Sequence, residues 1–483
     1  MPDVIRSTES LCPVCLKPAS ARLLADGDEV VLAGSCDDHG DWQTVVWSGP
    51  PSFASWCGQE AAPAARQTCT AVLEVTRDCD LGCPVCFAES PDGAGPSDPT
   101  VAEVAARLSD LFAAEGEVNL QLSGGEPTTR DDLPEIVAAA SSAGFTFVQL
   151  NTNGLRLASE DGYAEALRRA GLSSVFLQFD GVSNDTYQAL RGRPLLAQKL
   201  RAVERCAEAG LAVVLVPTVV PGINDGELGA LVRFAASWPG VVRGLHLQPM
   251  SYFGRYPREG FPGAPAAGRP RLTLPELLKA LEDQTGGEVR TEHFSPSCCE
   301  HVRCSFRARY WVREGGVLES VRSAPSCCGS EAGAAPASAP APASCNAPGP
   351  GTVLSPSDAP RRAVAATARQ WSRRERESGA CDGASCCGTS GDRPSPDAAA
   401  GPEAAGACGG AQDDLSRFLA DADRILAISG MLFQDAWSID MERIGRCCVQ
   451  VVTAADARAP EGLVPFCLWN LTSASGERLY PRC

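Results

Sequence analysis

Between residues 71 and 255, short apolar runs of strand length alternate with stretches whose apolar residues recur every three or four positions. The runs Ala71–Thr76, Val118–Leu122, Phe145–Asn151, Val175–Phe179, Ala212–Val220 and Gly244–Gln248 read as strands. Between them, Val101–Phe112 sets Val101, Val104, Ala105, Leu108, Leu111 and Phe112 on one helical face, and Leu133–Ala143, Tyr163–Ala170, Leu196–Ala209 and Asp225–Trp238 repeat that spacing. Strands that alternate with helices predict parallel βα units joined by right-handed crossovers. A six-stranded partial barrel and a doubly wound sheet both satisfy this pattern, and either places function at the carboxyl ends of the strands.

The remaining chain divides by composition. Residues 1–70 read as a loop-rich, cysteine-bearing region, and residues 256–326 as Pro/Gly loops with a Cys/His group. Residues 327–412, with SEAGAAPASAPAPAS and SPDAAAGPEAAGA, bury too little apolar surface to offset the entropy of ordering and read as a flexible, disordered insertion. That span nevertheless holds seven cysteines, including the pairs Cys327–Cys328 and Cys386–Cys387, each followed by glycine. Residues 413–483 look globular again, with an amphipathic helix predicted over Asp414–Ile428 and strands over Cys447–Val452 and Leu463–Leu471.

Composition narrows the function. The net charge of −17 argues against a nucleic-acid groove or an anionic membrane surface, which both need clustered Lys and Arg. No apolar run reaches membrane-spanning length and the first residues hold no apolar leader segment, so a cytoplasmic location is expected. In that reducing setting 23 cysteines point to metal ligands or reactive thiols rather than disulfides. Cys206, alone in a helical stretch, reads as a buried apolar residue.

The densest chemistry is Cys79-Asp-Leu-Gly-Cys83-Pro-Val-Cys86, placed directly after the strand AVLEVT. Thiolates hold iron–sulfur clusters, and three of them leave one iron open to chelation by an amine and a carboxylate. A zinc knuckle with a distant fourth ligand is the other reading of this spacing. Gly124-Gly125-Glu126-Pro127 follows the next strand, where the two glycines admit close approach of a ligand to the backbone. Asn151-Thr152-Asn153-Gly154 and Gln178-Phe179-Asp180-Gly181 follow two more strands. Each segment alone reads as a glycine-punctuated turn. In register on successive strands they compose one binding surface.

With these motifs the chain resembles the radical SAM superfamily. The resemblance implies a partial (β/α)6 barrel of the TIM-like α/β class, with cysteine-rich metal-binding extensions at both ends. It implies that Cys79, Cys83 and Cys86 hold a 4Fe–4S cluster whose open iron is chelated by S-adenosylmethionine (SAM). Gly124, Gly125 and Glu126 would meet the methionine amino group, Thr152, Asn153 and Asp180 would lie near the ribose or substrate, and Gln248 near the adenine.

A narrower resemblance covers most of the chain outside 327–412. It rests on Leu11-Cys12-Pro-Val-Cys15, Cys36-Asp-Asp-His39, Thr68-Cys69, Cys299-Glu-His301-Val-Arg-Cys304, Ser429–Asp435 and Pro465-Phe-Cys467. It points to a subgroup that includes a pterin methyltransferase of methanopterin synthesis and a tetraether lipid synthase. By that resemblance Cys12, Cys15 and Cys36 with His39 form a mononuclear iron or zinc site. Cys299 (or Cys298) and Cys304, with Cys448 (or Cys447) and Cys467, form an auxiliary 4Fe–4S cluster, scattered core cysteines being the other reading. The shortened stretch at Cys57 and Cys69 leaves too few thiolates for a further cluster.

The expected reaction is reductive cleavage of SAM to a 5′-deoxyadenosyl radical, followed by methyl transfer or carbon–carbon bond formation at an unactivated carbon of a small metabolite or lipid. A flavodoxin- or ferredoxin-like donor would supply the electron. Peptide modification and metalloid (arsenic) alkylation are alternative outcomes, the latter drawing on the affinity of Cys-Cys-Gly thiolates for soft ions. A non-catalytic metal-binding scaffold is the alternative from another class.

Overall fold

The computed structural model describes residues 2–58, 68–89, 98–257, 271–297, 300–321, 358–372, 424–453 and 462–480. The amino-terminal residues form a four-stranded antiparallel sheet of β1 (Asp3–Leu11), β2 (Pro18–Asp26), β3 (Glu29–Cys36) and β4 (Gly40–Ser48), paired in sequence order. This region had read as loop. Its strands are exposed along much of both faces, so they carry little of the period-two apolar signal that marks a half-buried strand.

The second sheet contains the six expected parallel strands: β5 (Thr70–Thr76), β6 (Asn119–Gly124), β7 (Val148–Thr152), β8 (Ser174–Gln178), β9 (Ala212–Val216) and, after the two-residue β10 (Thr218–Val219), β11 (Val242–Pro249). They lie side by side in the order in which they occur in the chain. A doubly wound sheet reverses strand order at its ligand crevice; this one does not, and the architecture is the partial barrel. Helices α1 (Val101–Glu115), α2 (Leu133–Ala143), α3 (Tyr163–Ala170), α4 (Asn184–Arg191), α5 (Leu196–Glu208) and α6 (Leu228–Ala236) connect the strands. The start of α1 is held by a reciprocal cap in which Thr100 and Glu103 bond each other's backbone N–H.

Alternation along the strands sorts the two faces. Leu120, Leu122, Val148, Leu150, Val175, Leu177, Val213, Leu215, Leu245 and Leu247 pack outward into one buried core with the helices. The residues between them, including Gln121, Asn151, Phe176, Gln178, Val214, Val216, His246 and Gln248, face inward.

Carboxyl-terminal residues complete this sheet rather than standing apart from it. The strand β14 (Ile425–Met431) runs parallel beside β11, while β15 (Val449–Thr453) runs parallel beside β5 at the opposite edge. β12 (Ser305–Val312), β13 (Leu318–Ser320) and β16 (Gly462–Pro465) extend those edges in antiparallel fashion. Ile425 and Leu426 are therefore strand residues and not the end of a helix; residues 414–423 lie outside the described residues. The predicted strand over Leu463–Leu471 is a strand only to Pro465 and then turns into a short helix, Phe466–Trp469. The helix α7 (Leu274–Gln284) arises in the segment read as loops, starting from a Thr273–Glu276 capping box.

Of the span 327–412, residues 358–372 are described, and Asp358–Trp371 forms a helix, α8. Alanine and arginine dominate this stretch, both good helix formers. The seven cysteines of that span lie outside the described residues.

Candidate active site

The loop after β5 carries the three cysteines and is pinned from several directions. The neighbouring loop bonds it through the backbone: Gly125 N–H donates to Thr76 O at 2.9 Å and Glu126 N–H to Asp78 O at 2.7 Å. These contacts require glycine. A Cβ on Gly124, which has φ +134°, would lie 2.1 Å from Thr76 O, and one on Gly125 2.2 Å from Asp78 O. Three arginines hold the loop's carbonyls: Arg191 Nη1 donates to Val85 O (3.0 Å), Arg255 Nε to Cys83 O (3.0 Å) and Arg193 Nη2 to Asp80 O (2.8 Å). Cys86 and Arg255 also exchange both backbone hydrogen bonds. None of these arginines stood out in the sequence, because each reaches the loop from a distant segment.

Cys79, Cys83 and Cys86 line one cavity of about 300 Å3 together with Gly124, Gly125, Glu126, Thr152, Asn153 and Gln248. Burial pushes the Cys79 thiol up to about 12 and also raises Cys83, against which the charge of Arg191 works. Buried thiols at such values stay protonated unless a cation takes the protons' place. Cys79, Cys83 and Cys86 lining one cavity, with guanidinium groups behind their loop, fit an iron–sulfur cluster with one protein ligand missing.

Glu126 is fully buried, and burial raises its pKa. Its carboxylate accepts from Thr128 N and Oγ1, from Thr152 Oγ1 (2.6 Å) and from Asn153 N (2.6 Å). The side chain thus ties its own loop to the end of β7. Asn153 also donates to Asp80 Oδ1 at 2.6 Å. Its carbonyl accepts from Lys199, which is fully buried, also donates to Gln178 and is lowered to about 8 by burial.

Asp180 is placed differently from the other predicted contacts. It has no exposed surface and gives both oxygens to Arg191, Nε to Oδ2 at 2.7 Å and Nη2 to Oδ1 at 2.6 Å. It stands behind the cavity and acts on it through Arg191. The inner face also presents residues that the sequence did not single out. His246 Nδ1 lies 2.9 Å from Ser429 Oγ, and burial lowers the imidazole to about 4, so it is neutral near pH 7.

At the amino terminus, the Cys12–Cys15 turn between β1 and β2 meets the Cys36–His39 turn between β3 and β4. One donor atom from each of these four residues lies within 4.8 Å of the other three, the one such group among the described residues. Cys12 and Cys36 stand 3.7 and 3.6 Å from His39 Nδ1, and Cys15 4.0 Å from Cys36. Tetrahedral bonds of about 2.3 Å to a central ion space sulfur ligands about 3.8 Å apart, so the set fits a zinc-type ion. The hydrogen bond from His39 lowers the Cys36 thiol to about 7.

In the carboxyl-terminal region Arg443 donates to Cys304 Sγ at 3.3 and 3.4 Å, and Gln434 N–H to Cys467 Sγ at 3.3 Å. Burial raises the Cys467 thiol, and Cys447 and Cys304 add to the rise, which puts these three in one neighbourhood. Cys448 is buried beside Cys69, whose N–H donates to Cys448 O. Cys298 and Cys299 lie outside the described residues.

Residues 73–235 match the family model of the radical SAM superfamily, and residues 4–48 match that of the HMPTM N-terminal zinc ribbon domain. The chain is 34% identical over 315 residues to 7,8-dihydro-6-hydroxymethylpterin dimethyltransferase of Methanocaldococcus jannaschii, an alignment that spans 60% of this chain and 61% of the relative. It is 30% identical over 233 residues to GTP 3′,8-cyclase of Chlorobaculum tepidum, spanning 47% of this chain and 67% of that one. The solved structure of SuiB from Streptococcus suis aligns over 47% of this chain and 48% of that one, with 15% identity and a TM-score of 0.36. Among the described residues no helix is long and apolar enough to cross a membrane.

Proposed function

We propose, from the premise that this chain belongs to the radical SAM superfamily, that it is an enzyme transferring a methyl group or forming a carbon–carbon bond at an unactivated carbon of a small molecule. Cys79, Cys83 and Cys86 hold a 4Fe–4S cluster in this reading, and SAM occupies the cavity beside it. When bound, the reduced cluster supplies the electron that breaks the sulfonium of SAM and yields a 5′-deoxyadenosyl radical.

The chain's own residues orient the cofactor and exclude water. Glu126 anchors the Gly124–Gly125 backbone where the methionine amino group is received. Thr152, Asn153 and Gln248 line the path toward the nucleoside. Asp180 fixes Arg191, which holds the cysteine loop and places positive charge beside it. Cys12, Cys15, Cys36 and His39 bind zinc or iron. Cys304, Cys467 and Cys447, the last in preference to Cys448, contribute to a second cluster whose fourth ligand is Cys299 or Cys298. A flavodoxin- or ferredoxin-like protein delivers the electron. The relative named for 7,8-dihydro-6-hydroxymethylpterin makes a reduced pterin the first substrate to test.

One observation carries this reading: three cysteines and the Gly-Gly-Glu backbone converge on a single cavity at the carboxyl end of sequentially ordered parallel strands. Anaerobic reconstitution followed by SAM and dithionite tests it. The wild-type chain is expected to release 5′-deoxyadenosine and to hold clearly more than one cluster's worth of iron. Cys83→Ala is expected to abolish release with an unchanged far-ultraviolet circular dichroism spectrum. Zinc at this loop, with no 5′-deoxyadenosine from the wild type, overturns the proposal.

A further inference from the structure

The inner face of the barrel is divided in character. Toward β6 and β7 it is amide-lined, with Gln121 donating to Gln149 and accepting from Asn151. Toward β8 and β9 it is apolar, with Phe176, Val214 and Val216 forming a cluster of their own. Left bare, that apolar half would face water inside the barrel. It is covered by α8, which lies against β6, β9 and β11.

Trp371, the last residue of α8, makes the contact. Its ring stands 5.9 Å from Phe176 and 5.9 Å, edge-on, from His246. Gly244 leaves room for it, since a Cβ there would come within 3.2 Å of the indole Nε1. Val364, two helical turns earlier, is 3% exposed, and Arg243 Nε donates to Gln370 O at 3.3 Å. Thr367, Gln370 and Trp371 then form a wall of the same cavity that the three cysteines line from the other side.

We propose that α8 is the floor of the reaction compartment, and that Trp371 fixes its depth and keeps extended chains out. The inference rests on reading the cavity as the SAM site. Ligand cavities commonly hold about 300–1,000 Å3, and this one, at about 300 Å3, stands at the small end. Trp371 and the apolar patch of Phe176, Val214 and Val216 beneath it end the cavity at α8, so an extended chain entering from the cysteine loop meets the indole. The alanine- and proline-rich span thereby contributes a specificity element, and Trp371 is its central residue.

The test compares full-length, anaerobically reconstituted wild type with Trp371→Ala and Trp371→Phe, using two measurements on the same samples. Amide hydrogen exchange reports whether α8 is seated. Residues 364–371 are expected to exchange about a hundred-fold more slowly than an unstructured peptide in the wild type and in Trp371→Phe, and to lose that protection in Trp371→Ala. The second measurement is SAM cleavage with dithionite in perdeuterated glycerol. A 5′-deoxyadenosyl radical that meets glycerol breaks a C–D bond, forming monodeuterated 5′-deoxyadenosine and leaving a glycerol carbon radical. The deuterated fraction is expected to rise several-fold in Trp371→Ala over wild type and to change little in Trp371→Phe.

Unprotected amides at 364–371 in the wild type, or equal labelling in wild type and Trp371→Ala, overturn the proposal. If Trp371→Ala does not retain iron, Trp371→Leu makes the same comparison, because leucine fills less of the floor than indole. If no sample releases 5′-deoxyadenosine, the proposed function fails, and hydrogen exchange alone decides whether the floor exists.

Discussion

At the scale of single residues, the pair Asp180–Arg191 links a strand end to the cysteine loop. The carboxylate accepts two hydrogen bonds from the guanidinium, which in turn holds Val85 O. Replacing one partner of a buried ion pair strands the other charge without a counter-ion, at a cost of about 3–5 kcal/mol. Asp180→Asn is therefore expected to lower the urea midpoint of unfolding at an unchanged slope and to reduce the iron retained through gel filtration. A midpoint equal to wild type would mean that Arg191 finds another anion. In the sequence Asp180 was legible as a polar residue at a strand end. Its role was not, because Arg191 belongs to α4 and meets it only once the fold has formed.

At the scale of elements, two loops behave as one unit. The Gly-Gly-Glu segment and the cysteine loop share backbone hydrogen bonds at a separation that admits no side chain. Gly125→Ala would press a methyl group against Asp78 O and drive the loops apart. The expected outcome is loss of measurable SAM binding in equilibrium dialysis while the circular dichroism spectrum is retained. Undiminished binding would show that the two loops are not coupled. Elements were legible where packing gives a strong period: every predicted barrel strand overlaps an observed one. They were misread where burial is set by distant partners. Ile425–Met431 is a short apolar run whose strand state depends on β11 and β12 on either side of it. A run of that length carries no period able to separate strand from helix.

At the scale of the whole molecule, the sheet does not close on itself, and the carboxyl-terminal strands protect both of its edges. The amino-terminal sheet pairs with no strand of the barrel sheet, although Leu23, Leu32 and Trp47 share its core, and its turns converge on four metal-type donors. Small sheets of this kind draw much of their stability from the bound ion. Stripping the metal with a chelator under anaerobic conditions is expected to abolish hydrogen-exchange protection in residues 18–48 while β6 to β9 stay protected. Uniform loss of protection would mean that the ribbon and barrel unfold together.

The sequence by itself determined the alternation of strands and helices, the cysteine triad and the glycines beside it. Each is encoded within a few consecutive residues, where spacing and residue type suffice. Tertiary structure alone decided that Arg191, Arg193 and Arg255 brace the cysteine loop, that Asp180 is held by an arginine, and that α8 lies inside the barrel. These depend on contacts between segments tens to hundreds of residues apart. Such contacts exist only after the chain has buried its outward-facing leucines and valines and left a concave face, half amide and half apolar, to be covered or filled.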